Sequence, residues 1–313
     1  MFNNYNDIKK EYERIRQNDV IKSHERKKEV YQKYQDLKLI DDKALSLCVK
    51  IVREGQKGVD TSQLENELEE LRLSRIQYLK KNGIKDDYRD IQYECNKCKD
   101  TGFVNGVKCS CYIDKEILLY DNVSNFRKYI ETDNFNNLKT SYYKQGDKGF
   151  SDYYEYMIET IKTLKSLVDN MDSTPFNIML IGTPGTGKTF LARCIGAEAL
   201  KIKKTVFYIN AVEYIDSLKP DYDGVPLKQL AIKSDLFILD DLGVEYSSDF
   251  SKTEMNYIID KRLNNNSSTI ITTNLMEKGL EERYLSSMCS RLFNVYKKVY
   301  LSGMDLRRLK NVE

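Results

Sequence analysis

Apolar positions in the first ninety residues recur at helical spacing. Tyr5, Ile8, Tyr12 and Ile15 share a face, and Val30, Tyr34 and Leu37 continue it, so residues 5–38 are expected to form one long helix or two broken near Ser23 and His24. A second helical segment carries Leu45, Cys48, Ile51 and Val52, with Asp41 or Asp42 to cap its start and Gly55 to stop it. Leu64, Leu68 and Leu71 define a third, opened by Ser62 and Glu65 at capping-box spacing and closed by Gly83. Residues 113–150 mix polarities, with asparagines at 134, 136 and 137, and read as a connector. A helix over 152–170 then presents Tyr154, Met157, Ile158, Ile161, Leu164 and Val168. Beyond it the pattern changes to five strand candidates at 178–182, 205–209, 235–240, 268–273 and 297–301, separated by helical segments. Strands alternating with helices imply an α/β fold with a central, mainly parallel sheet. The expected organisation is a helical, cysteine-bearing region over 1–112, a linker over 113–150 and an α/β domain over 151–313.

Composition narrows the function. The 313 residues include 50 Lys and Arg against 48 Asp and Glu, a formal net charge of +2. There is no global cationic field of the kind that drives nonspecific nucleic-acid binding, so any such contact must be local. No apolar run approaches the ~20 residues of a membrane span, and the N-terminal residues lack the basic-then-apolar order of a signal peptide. A cytoplasmic protein without membrane contact is expected. Seven cysteines, four of them clustered, then point to metal binding and away from a disulfide framework.

The chemistry centres on Gly182-Thr183-Pro184-Gly185-Thr186-Gly187-Lys188-Thr189, between the apolar run Ile178 to Ile181 and a helical stretch opening at Phe190. Glycines let the backbone wrap an anion, so that consecutive N–H groups and a helix N-terminus face the β- and γ-phosphates of a nucleotide. Lys188 adds a mobile cation and the Thr189 hydroxyl is placed to ligate Mg²⁺. A chance glycine-rich turn would lack the strand before it and the helix after it. A second apolar strand ends in Asp240 and Asp241, at the edge where such sheets bind ligands. Asp240 is the expected Mg²⁺ partner and Asp241 the candidate for polarising the attacking water. Asn274, ending the strand Thr269 to Thr273, can stand between γ-phosphate and water, or be a simple turn residue. Arg291 can act as an arginine finger on a neighbouring subunit's γ-phosphate, and Arg307 or Arg308 from within the same subunit; each also fits an ordinary surface charge.

Cys95, Cys98, Cys109 and Cys111 form a C-x2-C pair and a C-x-C pair around a hairpin marked by Gly102 and Gly106. Four thiolates of this kind suit structural Zn²⁺, with an iron–sulfur cluster or two reduced thiol pairs as alternatives. Cys48, Cys194 and Cys289 sit in apolar helical contexts and read as core residues.

Taken with Asp-Asp-Leu-Gly at 240–243, Thr-Thr-Asn at 272–274 and Ser-Arg-Leu at 290–292, the phosphate loop makes the C-terminal half resemble the AAA+ ATPases of the DnaC/DnaI helicase-loader group. The related IstB transposition ATPases share these motifs. Cys95-x2-Cys98-Lys-Asp-Thr-Gly-Phe and Cys109-x-Cys111, after a helical module, look like the zinc-containing, helicase-binding region of Gram-positive-type loaders. The resemblance implies an ATPase acting in DNA replication, which binds the replicative helicase hexamer through its N-terminal domain, self-associates through its AAA+ domain and binds ATP and single-stranded DNA. It also assigns Lys188 and Thr189 to Walker A, Asp240 and Asp241 to Walker B, Asn274 to sensor 1, Arg291 to the trans-acting finger and Arg307 to sensor 2. The sequence ends at Glu313, soon after Arg307, and the resemblance does not extend to a separate helical lid. Asp241 is one methylene shorter than the glutamate of many AAA+ enzymes, which suits a slow switch better than a motor. Single-stranded DNA is expected at the segment Ala211 to Ser234, where Lys219, Lys228 and Lys233 accompany Tyr214 and Tyr222; ordinary solvated lysines fit the same pattern. The alternatives are a transposition accessory ATPase and a nucleotide-gated adaptor with little hydrolysis.

Overall fold

The computed structural model describes residues 2, 4–145, 152–219, 227–303 and 305. The chain divides into two compact units, Lys9–Cys109 and a second formed by Met1–Ile8 with Ser110–Glu313.

The first unit is helical. Helix α1 (Tyr5–Lys33) is followed by α2 (Gln35–Gly55) and α3 (Ser62–Lys81). α1 runs unbroken through Ser23 and His24, because the Ser23 hydroxyl donates to the Arg89 carbonyl at 2.6 Å and does not compete with the helix backbone. The break falls at Tyr34. α2 begins well before Asp41, since that carboxylate is not a cap: it accepts from Arg75 Nε at 2.8 Å and from the Tyr31 hydroxyl at 2.7 Å. At the start of α3 the expected capping box is displaced. Thr61 is the cap residue and its hydroxyl donates to the Glu65 carboxylate at 2.8 Å, while Ser62 turns back to Asp60. Leu37, Leu79 and Tyr88 make the small apolar core. Cys48, expected in a core, is only half-buried. The unit ends in a two-residue hairpin, β1 (Phe103–Val104) and β2 (Val107–Lys108).

The second unit opens with α4 (Ser110–Ser124) and α5 (Tyr153–Asp169). It then alternates as β3 (Asn177–Gly182), α6 (Lys188–Lys201), β4 (Val206–Asn210), α7 (Ala211–Asp216), α8 (Leu227–Lys233), β5 (Leu236–Leu242), α9 (Asp249–Asn264), β6 (Ser268–Thr273), α10 (Glu277–Arg283), α11 (Ser286–Val295) and β7 (Lys297–Leu301). The five long strands form one parallel sheet in the order β4-β5-β6-β3-β7. β3 is buried from Ile178 on, which is why it reads as a continuous apolar run without alternation, and every residue of β6 is buried although four of its six are Ser or Thr. With all strands parallel, the C-terminal ends of β3, β5 and β6 lie side by side, where ligands bind in such sheets.

The segment expected as a connector contributes to the core as far as Tyr143. Phe126, Phe135 and Tyr143 are buried in the same apolar cluster as Ile178, Leu180, Ile195 and Ile238. Gly196 on α6 makes room for this: a β-carbon there would stand 2.6 Å from the Phe126 ring and 2.9 Å from Ile238. Cys194 and Cys289 are core residues, as expected.

Candidate nucleotide-binding site and cysteine cluster

The phosphate loop leaves the central region of the sheet at the end of β3 and enters α6 at Lys188. Gly185 and Gly187 hold φ angles of +84° and +93°, a conformation other residues adopt at a cost, and a side chain at Gly185 would also strike Asp305. Lys188 is buried, and its ammonium donates to the carbonyls of Gly182 at 2.7 Å and Thr183 at 2.9 Å and to Asn274 Oδ1 at 2.7 Å. Asn274, just past β6, is thereby brought to the loop lysine. The Thr186 hydroxyl closes the loop on the Thr183 carbonyl at 2.9 Å.

Asp240 is 3% exposed, and a buried carboxylate needs donors. Three hydroxyls supply them. Thr189 and Thr272 donate to Oδ1 at 2.9 and 2.6 Å, and Tyr208 donates to Oδ2 at 2.6 Å. Thr189 and Asp240, in contact, are the oxygen pair that can hold Mg²⁺ in this loop type, a hard cation that favours carboxylate and hydroxyl oxygens. Asp241 stands on an irregularity in the β5–β6 register, between Leu239 and Leu242, with φ at +55°. Its N–H donates to Thr272 Oγ1 at 2.8 Å. Bulges of this kind re-aim a side chain next to a site, and Asp241 lines a cavity of about 520 Å³ with Pro184, Gly185, Gly187, Lys188, Thr189 and Phe190. That volume is within the usual range for small-molecule sites. The other wall comes from the segment before the sheet, including Asp133, Lys139, Tyr142 and Tyr143, and from Arg193 of α6.

Arg291 lies apart from this lining. It pairs with Asp260 at 2.6 Å across α11 and α9 and donates to the Ser287 carbonyl at 3.0 Å. Arg307, Arg308 and Tyr222 lie outside the described residues. Tyr214, expected to stack on bases, is fully buried, because the apolar face of α7 packs inward. Lys219 is paired with Asp216 at 2.6 Å and Lys228 with Glu254 at 2.6 Å, while the Lys233 ammonium stands 4.7 Å over the Tyr5 ring. Tyr208 and Arg193 were not singled out in the sequence, and Thr272 only as a member of the Thr-Thr-Asn motif, without a role of its own. A threonine inside an apolar strand such as Thr272 does carry a usable hint, since a buried hydroxyl requires a partner.

The four clustered cysteines converge. Their sulfurs all lie within 4.8 Å of one another, with Cys95 and Cys109 at 3.8 Å. Zn–S bonds of about 2.3 Å put the sulfurs of a tetrahedron roughly 3.8 Å apart, so the donor set fits a single tetrahedral ion. The spacing is too tight to enclose several irons and sulfides. Asp100, with φ at +55°, accepts the backbone N–H groups of Glu94 and Cys95, both at 2.8 Å, and the Gly102 N–H points at Cys98 Sγ at 3.4 Å. Such bonds orient thiolate ligands.

Residues 125–293, more than half of the chain, match the family of IstB-like ATP binding proteins. The chain belongs to this family. The IstB-like domain is an AAA+ P-loop ATPase fold, and the loop at 182–189 lies within the matched residues. Among curated relatives, an uncharacterized protein of Escherichia coli K12, YdaV, is 30% identical over 132 residues, 40% of this chain and 53% of YdaV. The replicative helicase loader DnaC of the same strain is 29% identical over 143 residues, 43% of this chain and 58% of DnaC. The chain therefore spans little more than half the length of these relatives. A solved structure of AMPPCP-bound DnaA from Aquifex aeolicus superposes with a TM-score of 0.44 at 20% identity, covering 58% of this chain and 53% of DnaA. Among the described residues, no helix is long and apolar enough to cross a membrane.

Proposed function

We propose that this IstB-like ATPase is an ATP-dependent loader that places the replicative DNA helicase on single-stranded DNA when replication initiates, with slow hydrolysis acting as the switch. The observation that carries the reading is the convergence of Lys188, Thr189, Asp240, Asp241 and Asn274 on one cavity edge, in a chain whose curated relatives include a replicative helicase loader. Thr189 and Asp240 would hold Mg²⁺, which supplies charge neutralisation on the phosphate oxygens. Lys188 would leave its carbonyl partners for the phosphates. Asp241 takes the proton of the attacking water, and Asn274 orients that water. Arg291 would act across a subunit boundary after exchanging Asp260 for a neighbour's phosphate, and Arg307 would act within the subunit.

Residues 1–112 are assigned to the helicase contact, with one Zn²⁺ on Cys95, Cys98, Cys109 and Cys111. An apolar stripe on α2 supports a docking role: Leu45, Val49 and Val52 are 66%, 60% and 61% exposed. A second reading, a transposition accessory ATPase, is favoured by the family match itself, which covers the ATPase region and not the N-terminal module. Size-exclusion chromatography of the full-length chain with the replicative helicase of its host, with and without ATP, separates the two. Co-elution that ATP changes supports the loader. Absence of any complex in both conditions excludes it and leaves the transposition reading.

A further inference from the structure

Tyr208 lies on β4, an edge strand of the sheet, yet its hydroxyl reaches the buried acid at the end of β5. It stands 2.6 Å from Asp240 Oδ2 and accepts a 2.6 Å bond from Arg193. Arg193 projects from α6, the helix that starts at Lys188, and its guanidinium lies 3.6 Å from the Tyr129 ring centre and 4.9 Å from that of Tyr208. Its other arm donates to Asp133 Oδ2 at 3.1 Å. Arg193 and Asp133 both line the nucleotide cavity.

The proton order in this chain is fixed by chemistry. A guanidinium can only donate, so Tyr208 must accept from Arg193 and spend its single proton on Asp240. Of the Asp240 oxygens, Oδ1 is shared by Thr189 and Thr272, and Oδ2 is given Tyr208 as donor. Without Tyr208 the carboxylate can rotate about its Cβ bond, and the face presented to a cation bound at Thr189 is no longer set.

We propose that Tyr208 is a positioning residue for the metal-binding carboxylate of Asp240, and that Arg193 links it to the cavity wall, so that occupancy of the nucleotide cavity and geometry of the Mg²⁺ site are coupled. The proposal rests on the nucleotide reading of the site and adds a second layer to it. A fluorescent ATP analogue titrated into full-length protein, at fixed Mg²⁺ concentrations and in excess chelator, separates the two layers. Tyr208→Phe keeps the ring against Phe126 and Tyr129 and removes only the hydroxyl. It is expected to raise the Mg²⁺ concentration for half-maximal tight binding about tenfold, the effect of one lost hydrogen bond to a charged group. Affinity in chelator should stay within about twofold. Arg193→Met leaves β4 untouched, reads the same coupling if Tyr208→Phe folds poorly, and should shift the Mg²⁺ midpoint in the same direction. The double variant should be no worse for Mg²⁺ than Tyr208→Phe, because both act through one hydroxyl. An unchanged Mg²⁺ midpoint in both single variants overturns the proposal, as does an equal loss with and without Mg²⁺, which would mark a merely structural pair. Wild-type protein without Mg²⁺-dependent nucleotide binding would overturn the nucleotide reading and this proposal together.

Discussion

Asp241 depends on a single backbone conformation. At φ +55° it occupies the left-handed region that asparagine and aspartate tolerate best, and the register irregularity there turns its side chain toward the cavity. Asp241→Asn should therefore keep the backbone and ATP affinity within about twofold, while single-turnover hydrolysis falls roughly 10²–10⁴-fold with loss of the base. An unchanged rate in that variant removes Asp241 from the mechanism. Thr272 is the less obvious residue: its hydroxyl accepts from the Asp241 N–H and donates to Asp240, so it fixes both acids at once. Thr272→Val leaves both groups short of a partner and should cost about 1–3 kcal/mol in chemical denaturation. The loop residues, Asp240, Asp241 and Asn274 stood out in the sequence because phosphate chemistry asks for those residue types at those spacings, and the structure brings Lys188 to Asn274 and Thr189 to Asp240. Tyr208 and Arg193 were not legible, nor was the role of Thr272, because these roles depend on which strands are neighbours, and sequence does not print strand order.

At the scale of elements, the five strands were readable as short segments between helical stretches, and the helix ends less so. Asp41 has the residue type of a cap but serves instead a polar cluster, in which Arg75 bonds Asp41 at 2.8 Å and Asp86 at 2.6 Å. Arg75→Met should destabilise Lys9–Cys109 by about 2–4 kcal/mol, because it leaves the Asp41 carboxylate without its cation, and hydrogen exchange should speed in α2 and α3 first. The same cluster sets a pH dependence. The hydrogen bond from Arg75 holds the Asp86 carboxyl below the ordinary range. The stability it contributes is complete above the unfolded carboxyl value of about 4 and is lost as pH falls through the lower folded-state value. Asp86→Asn should flatten that acid limb in denaturant unfolding measured against pH, and a limb of unchanged depth would assign it to other groups. The segment 113–145 was misjudged for a different reason: Phe126, Phe135 and Tyr143 are spaced irregularly among polar residues, and such a pattern matches neither helix nor strand period. Its contact with α6 predicts that Gly196→Ala, which forces a methyl against Phe126 and Ile238, costs about 1–3 kcal/mol.

At the scale of the whole molecule, the chain combines the ATP-binding domain of a known family with a four-cysteine cluster over 95–111 and an exposed apolar face on α2. The cluster predicts about one Zn²⁺ per chain by elemental mass spectrometry, released by chelator with loss of ordered structure in residues 94–111. A metal-free protein with an unaltered circular dichroism spectrum would refute it. The residues that could hold a partner or single-stranded DNA were the least legible part. The fully buried Tyr214 shows the cause: on a short helix, spacing alone does not tell the inward face from the outward one. Every functional proposal for this chain, loader or transposition partner, requires that the loop bind Mg²⁺-ATP. The most direct test is calorimetric titration of ATP, with Mg²⁺, into the full-length protein and its Lys188→Ala variant. Saturable binding at about one ATP per chain, lost in the variant while its melting curve is retained, is the expected result. Equal affinity in the two proteins, or no binding in either, would contradict the account at its root.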